Sequence, residues 1–216
     1  MIHTSRQLKA LVRNRSHGNS AKAQIIIRSY IMERLLERIS VSKYKDQFIL
    51  KGGMLVSALV GLENRATMDI DTTVKNLPLN RDDVTDILTD IMKIEVGDGI
   101  VFSITGISEI MDEAEYPGVR VMLEAQLDTM RTPLKIDIST GDVITPREIE
   151  LEYKLMFENR TISFYAYTIE TVLAEKLETV ISRGTANTRL RDFYDLYILQ
   201  QVKTIQIDLG QLNLAL

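Results

Sequence analysis

The sequence predicts an α+β fold, a mixed sheet flanked by helices, with helical portions at both ends of the chain. Apolar residues recur at three- and four-residue steps over 21–39, 84–91 and 168–182, whereas 48–50, 100–107, 119–127 and 134–139 read as strands. The two kinds of segment are interleaved. The last two of these strands are joined by a turn containing Arg131 and Pro133, too short for a helical crossover, which makes this part of the sheet antiparallel. With 216 residues, 45% hydrophobic and 26% charged, the chain can bury a substantial core.

Taken in order, Leu8, Leu11 and Val12 form a short helical stripe that ends in a loop over Asn14–Ser20, with Gly18 at its turn. From Ala21 to Ile39 the residues Ile27, Tyr30, Ile31, Leu35 and Ile39 line one helix face. Arg28, Glu33, Arg34, Glu37 and Arg38 fill the other, which reads as solvated. Phe48-Ile49-Leu50 is a buried strand running into Lys51-Gly52-Gly53, and Met54–Val60 is a small apolar helix closed by Gly61. Residues Arg65 to Val74 alternate as a strand with Thr67, Asp69, Asp71 and Thr73 on one face. Val84, Ile87, Leu88 and Ile91 mark a helix that Gly97–Gly99 ends, and the three β runs follow. Ile162–Tyr167 is another short strand, Thr168 caps a helix to Ser182 with Leu173, Leu177 and Val180 inward, and Arg189–Gln201 is the last helix.

Several chemistries are excluded at once. The chain has no cysteine, which removes disulfides, thiolate zinc sites and thiol nucleophiles, and its two histidines, His3 and His17, leave little for an imidazole triad. Any catalysis rests on carboxylates, lysines, arginines and hydroxyls. No apolar run approaches the roughly 20 residues that span a bilayer, and no signal-peptide pattern opens the chain, so a cytoplasmic protein is expected. Charge is uneven: residues 1–51 carry a net +8, residues 52–150 a net −11 and residues 151–216 a net −1. A basic arm suits a polyanion and an acidic middle suits divalent cations, although both also fit solvated helix faces.

The acidic middle concentrates this chemistry. Asp69 and Asp71, two apart on a strand, project to one face about 6–7 Å apart. Asp137, between Ile136 and Ile138, offers a third carboxylate. If the two strands are neighbours, three carboxylates converge and can hold Mg²⁺ (or Mn²⁺) with room left for phosphate oxygens. The alternative is a solvated strand edge. Lys51-Gly52-Gly53 precedes a helix, so the amides of Gly52 and Gly53 can cradle phosphate, and Arg65-Ala66-Thr67 stands just before the acidic pair. Lys176 lies on a helix between Leu173 and Leu177, where it could equally snorkel from a core edge. Asp192 and Asp195 share a helix face and could simply partner Arg189 and Arg191.

The ordered segments FILKGGMLVSALVG, RATMDID, PLKIDISTGDVITP, TVLAEKLETVISRG and RLRDFYDLY resemble the nucleotidyltransferase superfamily (DNA polymerase beta-like fold) over about residues 25–200. More narrowly they resemble the AbiEii/AbiGii toxins of type IV toxin–antitoxin and abortive phage-infection systems. The resemblance implies that Gly52 and Gly53 contact the nucleotide phosphates and that Lys176 and Asp192 are essential, with Asp195 beside Asp192; Lys51, Arg65, Thr67, Lys176 and Asp195 are expected to join the glycines in binding the nucleotide, the Thr67 hydroxyl pointing at the metals. It implies Asp69, Asp71 and Asp137 as metal ligands and, together with Lys176 and Asp192, as the catalytic set. It further implies a basic helical segment over 1–46, a nucleotidyltransferase core over 47–167 and a helical portion over 168–216 that completes the active site. Family members commonly extend further at the C-terminus, so a reduced helical portion is expected there. The expected activity is Mg²⁺-dependent transfer of a nucleoside monophosphate from an NTP to an acceptor, tRNA foremost, restrained by a cognate antitoxin. A silent nucleotide-binding module, a protein acceptor and a two-metal nuclease remain alternatives.

Overall fold

The computed structural model describes residues 1–110, 118–202 and 206–216. Seven strands form one mixed sheet in the order β3-β4-β5-β2-β1-β7-β6. They are β1 (Phe48–Lys51), β2 (Ile70–Val74), β3 (Val101–Ile110), β4 (Gly118–Leu127), β5 (Met130–Thr140), β6 (Ile149–Lys154) and β7 (Thr161–Ala166). The pairs β2–β5 and β1–β7 are parallel; the remaining neighbours are antiparallel. Among the described residues seven helices accompany it: α1 (Ser5–Ser16), α2 (Ser20–Ser40), α3 (Gly52–Val60), α4 (Arg81–Met92), α5 (Ile169–Arg183), α6 (Leu190–Gln201) and α7 (Leu209–Ala215). The predicted mixed sheet flanked by helices is the architecture observed.

Period-two alternation makes the long hairpin. Val119, Val121, Leu123, Ala125 and Leu127 of β4 and Leu134, Ile136 and Ile138 of β5 are all buried and lie in register on one face. On that same face Val74 and Ile138 meet Val84, Ile87 and Leu88 of α4 around a small apolar cavity. Asp71 and Asp137 are the intervening residues, so their side chains leave by the opposite face. Side-chain caps begin several helices: Asn19 for α2, Asn80 for α4, Thr168 for α5 and Asp208 for α7 each accept a backbone N–H of the first turn.

Several expectations are corrected. Helix α1 runs through Asn14 and Arg15 to Ser16, held at its start by a reciprocal Thr4–Gln7 capping box, and the loop shrinks to His17–Asn19. Leu11 is exposed; Ile2, Leu8 and Val12 carry the packing. Helix α3 begins two residues earlier than expected, at Gly52. Strand β2 begins at Ile70, so Asp69 stands just before it rather than within a longer strand. Arg131 and Pro133 lie inside β5, not in the turn; Pro133 is tolerated because β5 pairs with β2 only from Ile136 onward, which leaves that edge of the strand free of β2 at Pro133. Leu177 and Val180 are only half-buried, and Val172, Leu173 and Ala174 supply the inner face of α5. Strand β6 and helix α7 were not anticipated.

The polar side of α2 is the largest departure, because Glu33, Arg34, Glu37 and Arg38 are buried. Arg34 pairs with Glu33 at 2.7 Å, Glu37 at 2.7 Å and Glu158 at 3.2 Å. Arg38 grips Asp98 with two bonds of 2.8 Å and donates to the Ile100 carbonyl at 2.9 Å. Charges removed from water survive only when paired: Glu33 and Glu37 are neighbours on the same helix, whereas Asp98 and Glu158 lie 60 and 124 residues from the arginines they meet.

Candidate active site

The site is assembled by strand register. Antiparallel pairing places Lys51 opposite Asp71, parallel pairing places Asp71 opposite Asp137, and the β4–β5 ladder places Arg120 opposite Asp137. Asp69, one residue ahead of β2, turns its carboxylate to the same place. Oxygens of Asp69, Asp71 and Asp137 all lie within 4.8 Å of one another. Three hard oxygen donors at this spacing suit a small divalent cation such as Mg²⁺.

The β1–α3 corner closes directly on this cluster. Gly52 has φ of 62°, and a Cβ there would stand 2.2 Å from Asp71 Oδ2. A Cβ on Gly53 would stand 2.7 Å from Thr67 Oγ1. Both the backbone conformation and the close approach of the carboxylate therefore require glycine at position 52. The Gly53 N–H donates to Asp71 Oδ2 at 3.3 Å, and the Thr67 hydroxyl donates to Asp69 Oδ1 at 3.0 Å. Gly52→Ala is expected to displace the Asp71 carboxylate and to lower nucleotide transfer about 100-fold, the scale of a 1 Å misplacement. Steady-state kinetics beside a circular dichroism check of the fold measures this; transfer within about threefold of wild type would count against the cradle.

Cations surround part of the carboxylate set. Arg120 donates from Nε and a terminal nitrogen to the two oxygens of Asp137, each at 2.9 Å. Lys135 Nζ lies 2.9 Å from Asp69 and 3.2 Å from Asp137. Burial would raise Asp69, but Lys135, Thr67 and Arg191 hold it below the usual carboxylate range. Asp71 behaves oppositely. Burial first, and then the charges of Asp69 and Asp137, push it up to about 6 against the opposing Gly53 amide and Lys135.

Beside this cluster lies a second one. Asp195 is fully buried and takes Arg65 Nε at 2.6 Å and Lys176 Nζ at 2.7 Å, while Lys176 also reaches Asp192 at 3.1 Å. Arg189 meets the other oxygen of Asp192 at 2.9 Å. The two clusters adjoin through Arg65, whose guanidinium is 3.1 Å from where a Gly53 Cβ would sit. Lys51 turns away from open space, to Asp142 at 2.5 Å and Glu175 at 3.6 Å, beneath the Tyr167 ring. Burial opposes its charge, but Glu175 and Asp142 raise its pKa above the usual lysine value.

The site residues expected from sequence thus lie in these two adjoining clusters, except Lys51, whose ammonium is taken by Asp142 and Glu175 instead. Sequence reasoning missed Lys135, Arg120, Asp142 and Glu175. Lys135 had a signal, since it is two residues before Asp137 and so on the same strand face. Arg120 had none, because only the hairpin register brings it to Asp137.

A Helicobacter pylori protein, JHP933, has 17% identity and a TM-score of 0.53, the match covering 83% of this chain and 67% of that one. A second H. pylori protein, described as a candidate nucleotidyltransferase, has 17% identity and a TM-score of 0.52, covering 83% of this chain and 69% of that one. These likenesses bear on the fold alone. No curated protein matches the sequence. The family described as nucleotidyl transferase AbiEii toxin, type IV toxin–antitoxin system, matches residues 34–215, which is most of the chain. The chain belongs to the AbiEii family of nucleotidyltransferase toxins.

Proposed function

We propose that this nucleotidyltransferase moves a nucleoside monophosphate from an NTP to an RNA acceptor, tRNA foremost, in a Mg²⁺- or Mn²⁺-dependent reaction. The observation that carries this reading is the convergence of Asp69, Asp71 and Asp137 within 4.8 Å, directly against the Gly52-Gly53 corner. The donor set fits the ion: oxygen ligands only, with Asp71 half-buried beside two other carboxylates. Asp69 and Asp71 would hold the cation, with Asp137 beside them, and the bound ion supplies positive charge to triphosphate oxygens.

This chain's residues do the remainder. The half-buried Gly52 and the start of α3 would offer backbone amides to phosphate, the Gly53 N–H being directed at Asp71. Lys176, paired with Asp192 and Asp195, neutralises the triphosphate side, and Asp192 orients it. Thr67 fixes the rotamer of Asp69, and Arg65 ties Asp195 into the same wall. In the transfer step an acceptor hydroxyl oxygen bonds to the α-phosphorus and the α–β bridging bond breaks. Pyrophosphate leaves, and the hydroxyl proton passes to solvent.

The RNA acceptor is supported by exposed cations. Arg6, Lys9 and Arg13 remain exposed on α1, and Arg183, Arg189 and Arg191 are exposed around the α5–α6 connection, although Arg34 and Arg38 are withdrawn from the basic arm by burial. As a type IV toxin the chain has an antitoxin partner, and growth arrest serving phage defence in the cytoplasm completes the reading. No helix among the described residues is long and apolar enough to cross a membrane.

The test is incubation with Mg²⁺ and each α-labelled NTP, with and without total tRNA, beside Asp69→Asn. Label on RNA that disappears in the variant supports the reading. Label on the protein or a protein acceptor moves the acceptor class. NTP binding without transfer anywhere leaves a silent nucleotide-binding module, and shortened RNA without label points to a nuclease.

A further inference from the structure

We propose that Lys135 takes the place of a second divalent cation, so that this carboxylate set binds one metal ion rather than two. The inference rests on the metal-dependent reading above and concerns how the same site is filled. Lys135 Nζ bridges Asp69 Oδ2, at 2.9 Å, and Asp137 Oδ2, at 3.2 Å. A second ion shared by these two carboxylates would need that position, and at metal–oxygen distances of about 2.0–2.1 Å it could not coexist with the ammonium.

The surrounding contacts agree. Both oxygens of Asp137 accept from Arg120, so Asp137 is already supplied with fixed donors on one side and Lys135 on the other. The remaining oxygen of Asp69 accepts from Thr67. Asp71 differs: among the described residues it has no ion pair, and its one hydrogen bond is from the Gly53 amide. The three carboxylates and these two cations leave a single net negative charge, which one divalent ion reverses and a second would drive to +3 before any phosphate arrives. Lys135 reaches the site from a fixed base, since Leu134 and Ile136 on either side are buried in the hairpin core. It is a positioning residue: it holds Asp69 and Asp137 apart from a second ion and leaves Asp71 as the carboxylate without an ion pair among the described residues.

Counting bound Mn²⁺ per chain by electron paramagnetic resonance of the free ion, without nucleotide, tests this. The expected counts are one for the wild type, one for Lys135→Arg and two for Lys135→Met, the second ion binding at least about tenfold tighter than any second ion in the wild type. A structural role alone would not change the count on losing charge and restore it on returning charge. Two ions in the wild type, or a single ion in a folded Lys135→Met, overturns the proposal; the wild-type count decides even if that variant does not fold. Asp71→Asn, run alongside, is expected to bind none. Were it to bind as many as the wild type, the carboxylate metal site itself would fail, a result distinct from failure of the Lys135 assignment.

Discussion

Asp71→Asn is expected to abolish nucleotide transfer and, in the same molecule, to raise the melting temperature of the metal-free protein. Asp71 is pushed up to about 6, first by burial and then by Asp69 and Asp137. In an unfolded chain its value is about 3.9. A group raised in the folded state contributes stability that is fully present below about pH 4 and is lost as pH rises through about 6. At neutral pH the metal-free fold therefore holds an ionised Asp71 at a cost of about 3 kcal/mol, from about two pKa units at about 1.36 kcal/mol each. Asparagine keeps an oxygen to accept the Gly53 N–H and removes the charge. With imperfect packing allowed for, a gain of about 1–3 kcal/mol is expected, or about 3–10 °C for a chain of this size. Transfer should fall at least about 1000-fold, since losing several kcal/mol of metal-borne charge stabilisation is worth that much. Differential scanning calorimetry at pH 7.5 without metal checks the first half. Mn²⁺ should then raise the wild-type transition and leave the variant unchanged. A lower melting temperature for metal-free Asp71→Asn would refute the electrostatic strain assigned to Asp71. The wild type should also lose stability relative to the variant between about pH 4 and pH 6, the window set by the shift.

The convergence that creates this strain was partly legible. Period two places Asp71 on one face of its strand and Asp137 between two isoleucines on another, and the adjacency of β2 and β5 then joins them. Asp69 reached the same place by a different backbone, because the ladder with β5 starts only at Ile70. The glycine pair was legible as a turn, but that Gly52 is required by a carboxylate 2.2 Å from its missing Cβ is a fact of tertiary packing.

What was illegible is mostly charge that found a distant partner. Arg34 and Arg38 obey the spacing of a solvated helix face, and helical periodicity alone assigns them to water. They are buried because Asp98 arrives from the α4–β3 connection and Glu158 from the β6–β7 connection, neither of which local sequence can place. Strand β6 was a different omission, for Ile149, Leu151 and Tyr153 alternate with Glu150, Glu152 and Lys154 and carry a readable strand pattern. Helix α7, with seven residues, is too short for a periodic signal, and its Asp208 cap was the only mark.

Asp195→Ala should destabilise the protein far more than Asp192→Asn, although sequence offers the two aspartates as an equivalent pair on one helix face. Asp195 is fully buried and takes charge from two other elements, Arg65 ahead of β2 and Lys176 of α5, so it joins α6 to both. Burial would raise its pKa, yet Arg65 and Lys176 hold it below the usual carboxylate range. Its contribution is accordingly present above about pH 4 and lost as pH falls through the lowered folded value. Deleting it leaves two cations facing each other out of water, which costs about 3–5 kcal/mol and about 10 °C or more in melting temperature. Asp192 is placed differently. Its partner Arg189 is 54% exposed and can return to solvent, and Lys176 keeps Asp195 at 2.7 Å when Asp192 loses its charge. Asp192 is itself buried, but asparagine keeps its shape and an oxygen to accept from Lys176. Asp192→Asn should therefore cost about 1–2 kcal/mol, the scale of one weakened hydrogen bond, while its effect on transfer should be large if Asp192 orients Lys176 as proposed. Thermal unfolding at pH 7.5, paired with single-turnover kinetics below the transition, separates the two. Should Asp192→Asn melt below Asp195→Ala, the structural anchor would be Asp192, and the assignment of Asp192 to the nucleotide side of Lys176 would fall with it.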